Sequence, residues 1–422
     1  MPTLPQISLE QIDPEAVQAQ LGQLARFSSA PAPAVTRVLW TEPDMQARAY
    51  LREQCATLGL EIREDGLGNL FARWRGTAPE LPAVASGSHI DAIPNAGMYD
   101  GTVGVIGVLA AIRALQQVGF TPHRSIELVV FTAEEPTRFG IGCLGSRAMA
   151  GTLTPAQLAS LRDSDGHTLE QARHAVGYTA DLAHVALPEG HYAAFIELHI
   201  EQGPVLEQAG IPIGIVQKIA APSSLRITLT GEGGHAGAVL MPDRHDALLA
   251  AAELALAVEQ AACSSGSPDT VGTTGVLRIA PGAVNSIPAH AVMEIDVRDT
   301  DLAARDRTLA AIRTATAAIS GRRGVQATVE LLNADPPALC APALTDTVAH
   351  VCQTLGIAAQ PMISRAYHDS LFMARVCPIT MIFIPCYKGY SHRPDEYAAP
   401  EAITTGIAVL AQTLAHLSQV SA

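Results

Sequence analysis

The chain reads as an α/β protein, a catalytic domain with a mixed sheet flanked by helices, interrupted by a smaller α+β domain. Three patterns lead there. Apolar runs beginning at Val84, at Ser125 (SIELVVFT) and at Ile379 (ITMIFIP) each give way to polar residues of chemical interest. Open α/β sheets place their sites in this way, beyond the carboxyl ends of the strands. Between 217 and 333 the order becomes strand, helix, strand, strand, helix, strand, which suggests helices on one face of an antiparallel sheet. After DPPAL at 335–339 the helix and strand alternation resumes. The catalytic domain is therefore expected to be discontinuous, 1–216 with 334–422, around an insert at 217–333.

Taken in order, Asp13, Pro14 and Glu15 open a helix with an N-cap acceptor, a proline that gives up no needed donor and an acid in the first turn. It is predicted to run to about Phe27. A second helix follows from Glu42 to Leu58, then two strands in EIREDGLGNLFARW around a glycine turn. The Val84 strand leads into a Gly-rich loop holding His89, Asp91 and Asp100 before a helical run from Gly101 to Val118. The SIELVVFT strand ends at Glu134 and Glu135. Residues 150–190 are polar; His167, His174, His184 and His191 lack a carboxylate pattern and read as solvated or capping residues. The strand-like AAFIELHIEQGP then carries His199, Glu201 and Gln202. Within the insert, LRITLTG, VGTTGVLRI, AVMEIDVR and VQATVELL read as strands, with helices at Arg244–Gln260 and Leu302–Ile319.

Composition narrows the partners. With 422 residues, 48% hydrophobic and 16% charged, the chain has ample material for two globular cores. No apolar run approaches the ~20 residues of a membrane helix, and MPTLPQISLEQIDPEA shows no signal-peptide pattern. Seven cysteines, odd in number and without C-x-x-C spacing, fit a reducing, cytoplasmic setting. The net charge of -14 argues against nucleic acid or an anionic membrane as partner and leaves a small acid as a substrate class.

Metal-type side chains recur in separate stretches: His89 and Asp100, Glu134 and Glu135, His199, and His392 in GYSHRPDEY. A neutral imidazole ligand needs its second ring nitrogen held by a carboxylate or carbonyl, and Asp91, two residues beyond His89, can do this. Two histidines and a carboxylate around one ion, sharing a bridging carboxylate with a second, make a workable dinuclear site for divalent transition metals. Of the two adjacent glutamates, one can ligate while the other serves as base. Asn285 before Ser-Ile-Pro also reads as a plain turn residue, and Arg298 after Asp296 as a strand-end ion pair.

The motifs GSHIDAIPNAGMYDG, FTAEEPTRFGIGCLGSR, ELHIEQGP, GGHAGAVLMPDRHDA, GAVNSIP, SRAYHDSLFMA and FIPCYKGYSHRPDEY occur in this order. They resemble the metal-dependent amidohydrolases that include allantoate amidohydrolase and N-carbamoyl-L-amino-acid hydrolase. The resemblance implies a zinc-exopeptidase-like catalytic domain with a ferredoxin-like lid and dimerisation domain. It also implies two divalent ions per subunit, manganese or zinc. By the same resemblance His89, Asp100 and His199 hold one ion, and Asp100, Glu135 and His392 the other. Glu134 becomes the general base and Asp91 the clamp on His89. His235 acts from the insert on the active site of a homodimer partner, and Gln202, Asn285, Arg298 and His368 contact substrate. A cis peptide between Asp100 and Gly101 is implied as well. The activity implied is cleavage of the ureido C–N bond of a small ureido acid. IAAPSSLRI, HAGAVLMP and RAYHDSLFM point to the branch, with allantoate and N-carbamoyl amino acids, including the β-ureidopropionase type, as alternatives. More distant readings are a peptidase or aminoacylase on the same scaffold and a non-catalytic metal-binding protein.

Overall fold

The computed structural model describes Ile7 and residues 9–420. The first residues of the N-terminal reading, and both extreme ends of the expected catalytic domain, lie outside the described residues. The chain divides into two compact units. One takes in residues to Gln217, Leu339–Met362 and the chain from His368; the other comprises Lys218–Ala338 with Ile363–Tyr367. The inserted unit thus closes at Ala338 rather than Asn333 and includes a later pentapeptide. That pentapeptide is tied in by Ala220 N–H donating to Ser364 O at 2.8 Å and by an Arg365–Asp269 ion pair.

The first unit is built on a nine-stranded mixed sheet. Its parallel centre runs Ile379–Ile384, Tyr192–Ile200, Ala83–His89, Ile126–Phe131. Leu70–Trp74 and Glu61–Glu64 continue it antiparallel on one side, and Ile213–Ile219 on the other. Strands covered on both faces need no polar alternation, and every residue of Ala83–His89 and Ile126–Phe131 is buried. Helix Thr102–Gln117 packs on this centre and against Pro400–Gln419, which explains its nearly continuous apolar sequence. Helix Pro14–Ala25 is capped as its sequence suggests, Asp13 Oδ1 accepting Ala16 N–H at 3.0 Å.

Glycine sets the strand spacing at one point. A Cβ on Gly87 would overlap the Val129 carbonyl of the neighbouring strand, which is backbone and cannot step aside. Gly87→Ala is therefore expected to destabilise the fold by at least the ~1–3 kcal/mol typical of overpacking. Urea unfolding checks this, and an unchanged midpoint would contradict it.

The inserted unit is a four-stranded antiparallel sheet in the order Val271–Ala280, His290–Asp299, Ala221–Thr230, Gln326–Ala334. Helices Ala247–Cys263 and Leu302–Arg323 pack against it. Leu225, Ile227, Met293, Ile295, Leu254 and Ile312 are among the residues of their shared core. Alternate burial along His290–Asp299 fits a sheet covered on one face. The helix expected to end at Ile319 continues to Arg323, because the stop is Gly324 at φ 65°. Two strands have no clear sequence signal: Val35–Arg37 pairs with Ala92–Ala96, a short pair with Pro94 inside it. The polar 150–190 stretch departs from expectation in one respect. His167 and His174 do have carboxylate neighbours, Asp163 at 3.4 Å and Glu170 at 3.0 Å, although both histidines are exposed.

Candidate metal centre

The chemistry-bearing side chains of the first unit collect at the carboxyl ends of its parallel strands. His89 ends one strand and His199 lies one residue before the end of the next. Glu134 and Glu135 follow Phe131, His392 lies in the loop after Ile384, and Asp100 precedes helix Thr102–Gln117. Asp100 stands at the centre, with Oδ1 3.2 Å from His199 Nε2 and 3.6 Å from His89 Nε2. Its Oδ2 lies 3.1 Å from His392 Nε2, which is also 3.1 Å from Glu135 Oε1. Two ligand-type groups result, His89–Asp100–His199 and Asp100–Glu135–His392, with Asp100 common to both. The implied Asp100–Gly101 cis peptide is not found: among the described residues the cis bonds are Ala32–Pro33 and Ala280–Pro281. The chain turns instead at Gly101, whose φ of 65° is open to glycine, so the cost of a cis bond outside proline does not arise.

Backbone carbonyls orient two of the imidazoles. His89 Nδ1 lies 3.0 Å from Asp91 O and His199 Nδ1 2.8 Å from Ile200 O. With Nδ1 held in this way both rings turn Nε2 toward Asp100, where a metal ligand's free nitrogen belongs, and His199 Nε2 also accepts the Gly101 N–H at 3.2 Å. Asp91 holds His89 through its main-chain carbonyl, its Oδ1 lying 3.6 Å from His89 Nδ1. The carboxylate has other partners. It accepts Glu134 N–H at 3.1 Å and Glu135 N–H at 3.0 Å, fixing the turn that carries both acids.

Burial pushes the Glu134 carboxyl well above the usual range; nearby His89 opposes this, while Glu135, Asp369 and Asp100 add to it. Burial also raises Glu135, against its bond with His392. His392 is held up to about 11 by Asp100 and Glu135. A buried set of acids whose proton affinity depends on imidazolium neighbours is one in which a cation can replace those protons, so the donors fit divalent metal. Strain gathers here as well: Ala133, Gln202 and His392 have φ of 52°, 57° and 59°, rare for residues with a Cβ.

The other expected residues are distributed between the units. Gln202 joins the cluster, its Nε2 donating to Asp100 Oδ2 and Ser391 Oγ, each at 3.1 Å. His368 is buried against His199, ring centroids 4.6 Å apart. In the inserted unit His235 pairs with Ser286, beside Asn285, and its ring is exposed. Arg298 makes the strand-end ion pair, Nε to Asp296 Oδ1 at 2.7 Å. Three residues of the first unit were not read as functional from sequence. Glu396 and Ser391 bond around Asp100. Glu197, fully buried, accepts Ser88 Oγ–H at 2.7 Å beside His199 and His368. All three lie inside motifs quoted above, Glu197 opening ELHIEQGP and Ser391 and Glu396 within GYSHRPDEY.

Residues 85–416 match the family described as Peptidase family M20/M25/M40. The chain belongs to this family. Within it, the chain is 51% identical over 414 residues to ureidoglycolate hydrolase of Arabidopsis thaliana, covering 96% of this chain and 87% of that one. Identity to the rice protein of the same name is 52% over 412 residues, with 96% and 85% covered. Allantoate amidohydrolase of Escherichia coli is 32% identical, with 96% and 98% covered. The crystal structure of AtUAH in complex with (S)-hydroxyglycine superposes with a TM-score of 0.90 at 50% identity, covering 96% of this chain and 98% of that one. The aminopeptidase PepT of Bacillus cereus shares the fold, with a TM-score of 0.66 at 14% identity. As an M20 family protein, the chain is a hydrolase acting on C–N bonds, and the family's dependence on metal agrees with its two ligand groups. Among the described residues no helix is long and apolar enough to cross a membrane.

Proposed function

We propose that this M20 family member hydrolyses (S)-ureidoglycolate to glyoxylate, ammonia and carbon dioxide, using two divalent ions, manganese or zinc, per subunit. The observation that carries the substrate is the 51–52% identity, over nearly the whole chain, to two proteins named ureidoglycolate hydrolase. Relatives named for allantoate or N-carbamoyl amino acids stand at 31–37%. His89, Asp100 and His199 would hold one ion, and Asp100, Glu135 and His392 the other. Bound there, divalent ions polarise a carbonyl and make water more acidic.

The chain's own residues supply the rest. Glu134 takes a proton from the attacking water and returns it to the nitrogen that leaves. Asp91 accepts the Glu134 backbone N–H and so fixes the main chain from which the base projects. Arg298 suits the substrate carboxylate through paired donors, Asp296 orienting its guanidinium. Gln202, Asn285 and His368 offer polar contacts, the hydroxyl being the group that needs one. The C–N bond broken joins the ureido carbonyl to nitrogen; the carbamoyl part leaves as ammonia and carbon dioxide, and the remaining hydroxyglycine loses ammonia to give glyoxylate. Incubating the metal-loaded protein with (S)-ureidoglycolate should release glyoxylate, with both nitrogens appearing as ammonia. Release of ammonia without glyoxylate would rule this route out.

The working unit in this reading is a cytoplasmic homodimer, formed through the inserted unit, in which His235 stabilises the oxyanion in the other subunit's site. Seven free cysteines agree with a reducing compartment. Mixing His235→Ala protein with Glu134→Gln protein is expected to restore partial activity, because each mixed dimer then contains one intact composite site. Verified subunit exchange with no recovery would count against sharing.

A further inference from the structure

Glu396 is 5% exposed and plays no part in the reaction described above. Its Oε1 accepts two consecutive backbone N–H groups, Tyr99 at 2.9 Å and Asp100 at 3.0 Å. Its Oε2 accepts Ser391 Oγ–H at 2.8 Å. Ser391 Oγ also lies 3.3 Å from Asp100 Oδ2, but one hydroxyl proton serves one acceptor at a time and the shorter contact is to Glu396. Gln202 Nε2 then supplies the hydrogens to both Asp100 Oδ2 and Ser391 Oγ. Gly97 makes room for this arrangement, because a Cβ there would overlap the Glu396 side chain.

Two loops far apart in sequence thus meet on one carboxylate. The Tyr99–Asp100 turn carries the acid common to both ligand groups, and Ser391 is bonded directly to His392 in the chain. We propose that Glu396 is a positioning residue that locks these two loops together, so that Asp100 and His392 are set for a metal ion before it binds. The proposal rests on the two-ion reading. The physical reason is preorganisation: without Glu396, metal binding must itself order both loops, and affinity falls by that cost. Loss of such outer partners typically lowers metal affinity by about 10–100-fold.

The test strips wild-type, Glu396→Ala and Ser391→Ala proteins with a chelator and titrates each with Mn2+ by calorimetry. Urea unfolding of the stripped proteins serves as the fold control. Glu396→Ala is expected to weaken at least one of two binding events by about 10–100-fold. Excess Mn2+ should then restore kcat with KM unchanged, a rescue that a general folding defect would not show. Ser391→Ala, which spares the bonds to Tyr99 and Asp100, should weaken binding less and in the same direction. If Glu396→Ala does not fold, Ser391→Ala decides alone. Wild-type affinities in the folded variants, or a lost kcat that Mn2+ does not restore, would overturn the proposal. A wild-type protein binding fewer than two ions would overturn the two-ion reading beneath it.

Discussion

Glu134→Gln is expected to lower kcat by at least ~100-fold to 10,000-fold, the usual cost of a lost acid–base group, while metal content stays near wild type. The substitution is nearly isosteric, and the Asp91 bond to the Glu134 N–H is untouched by it. Glutamine can neither take a proton from water nor hand one to the leaving nitrogen. Glu135→Gln is expected to behave differently, because Glu135 Oε1 lies 3.1 Å from His392 Nε2 within a ligand group. Metal analysis alongside steady-state kinetics separates the two. Metal lost from Glu134→Gln and retained in Glu135→Gln would mean the roles are reversed.

Asp100→Ala is expected to remove measurable metal binding and, with it, turnover. No other carboxylate in the cluster belongs to both ligand groups, one oxygen facing His199 and His89 and the other His392. Its loss should exceed the ~10–100-fold effect of an outer partner and should strike both binding events. Calorimetry on stripped protein reads this directly. Retention of one event at wild-type affinity would show that Asp100 is not shared.

Much of this was visible in the sequence because both signals are local. Apolar runs such as SIELVVFT mark strands buried on both faces, and Glu134 and Glu135 follow that strand at once. The insert's order of elements could likewise be read one segment at a time. Where meaning depends on distant contact, the sequence falls short. Glu396 bonds residues almost 300 positions away, and nothing near it states that partnership. Asp91 is legible only in part: its spacing from His89 suits a clamp by carboxylate or carbonyl, but only the folded loop shows the carbonyl on the imidazole and the carboxylate on the Glu134 and Glu135 N–H groups. Pro94 disguises an edge strand. Arg298 retains the ion pair its neighbour Asp296 suggested, alongside the proposed part in substrate binding.

Substrate choice is the central claim, and one comparison tests it most directly: kcat/KM for (S)-ureidoglycolate, allantoate and an N-carbamoyl-L-amino acid at equal metal loading. Ureidoglycolate joins a ureido group, a carboxylate and a hydroxyl on one small carbon. Allantoate needs room for a second ureido group, and an N-carbamoyl amino acid puts a side chain or hydrogen where the hydroxyl stands. A site built to bond a hydroxyl rejects analogues that lack it far more strongly than a merely roomy pocket would. Ureidoglycolate is therefore expected to have the highest kcat/KM of the three. A value about tenfold or more higher for either alternative would contradict the substrate assignment.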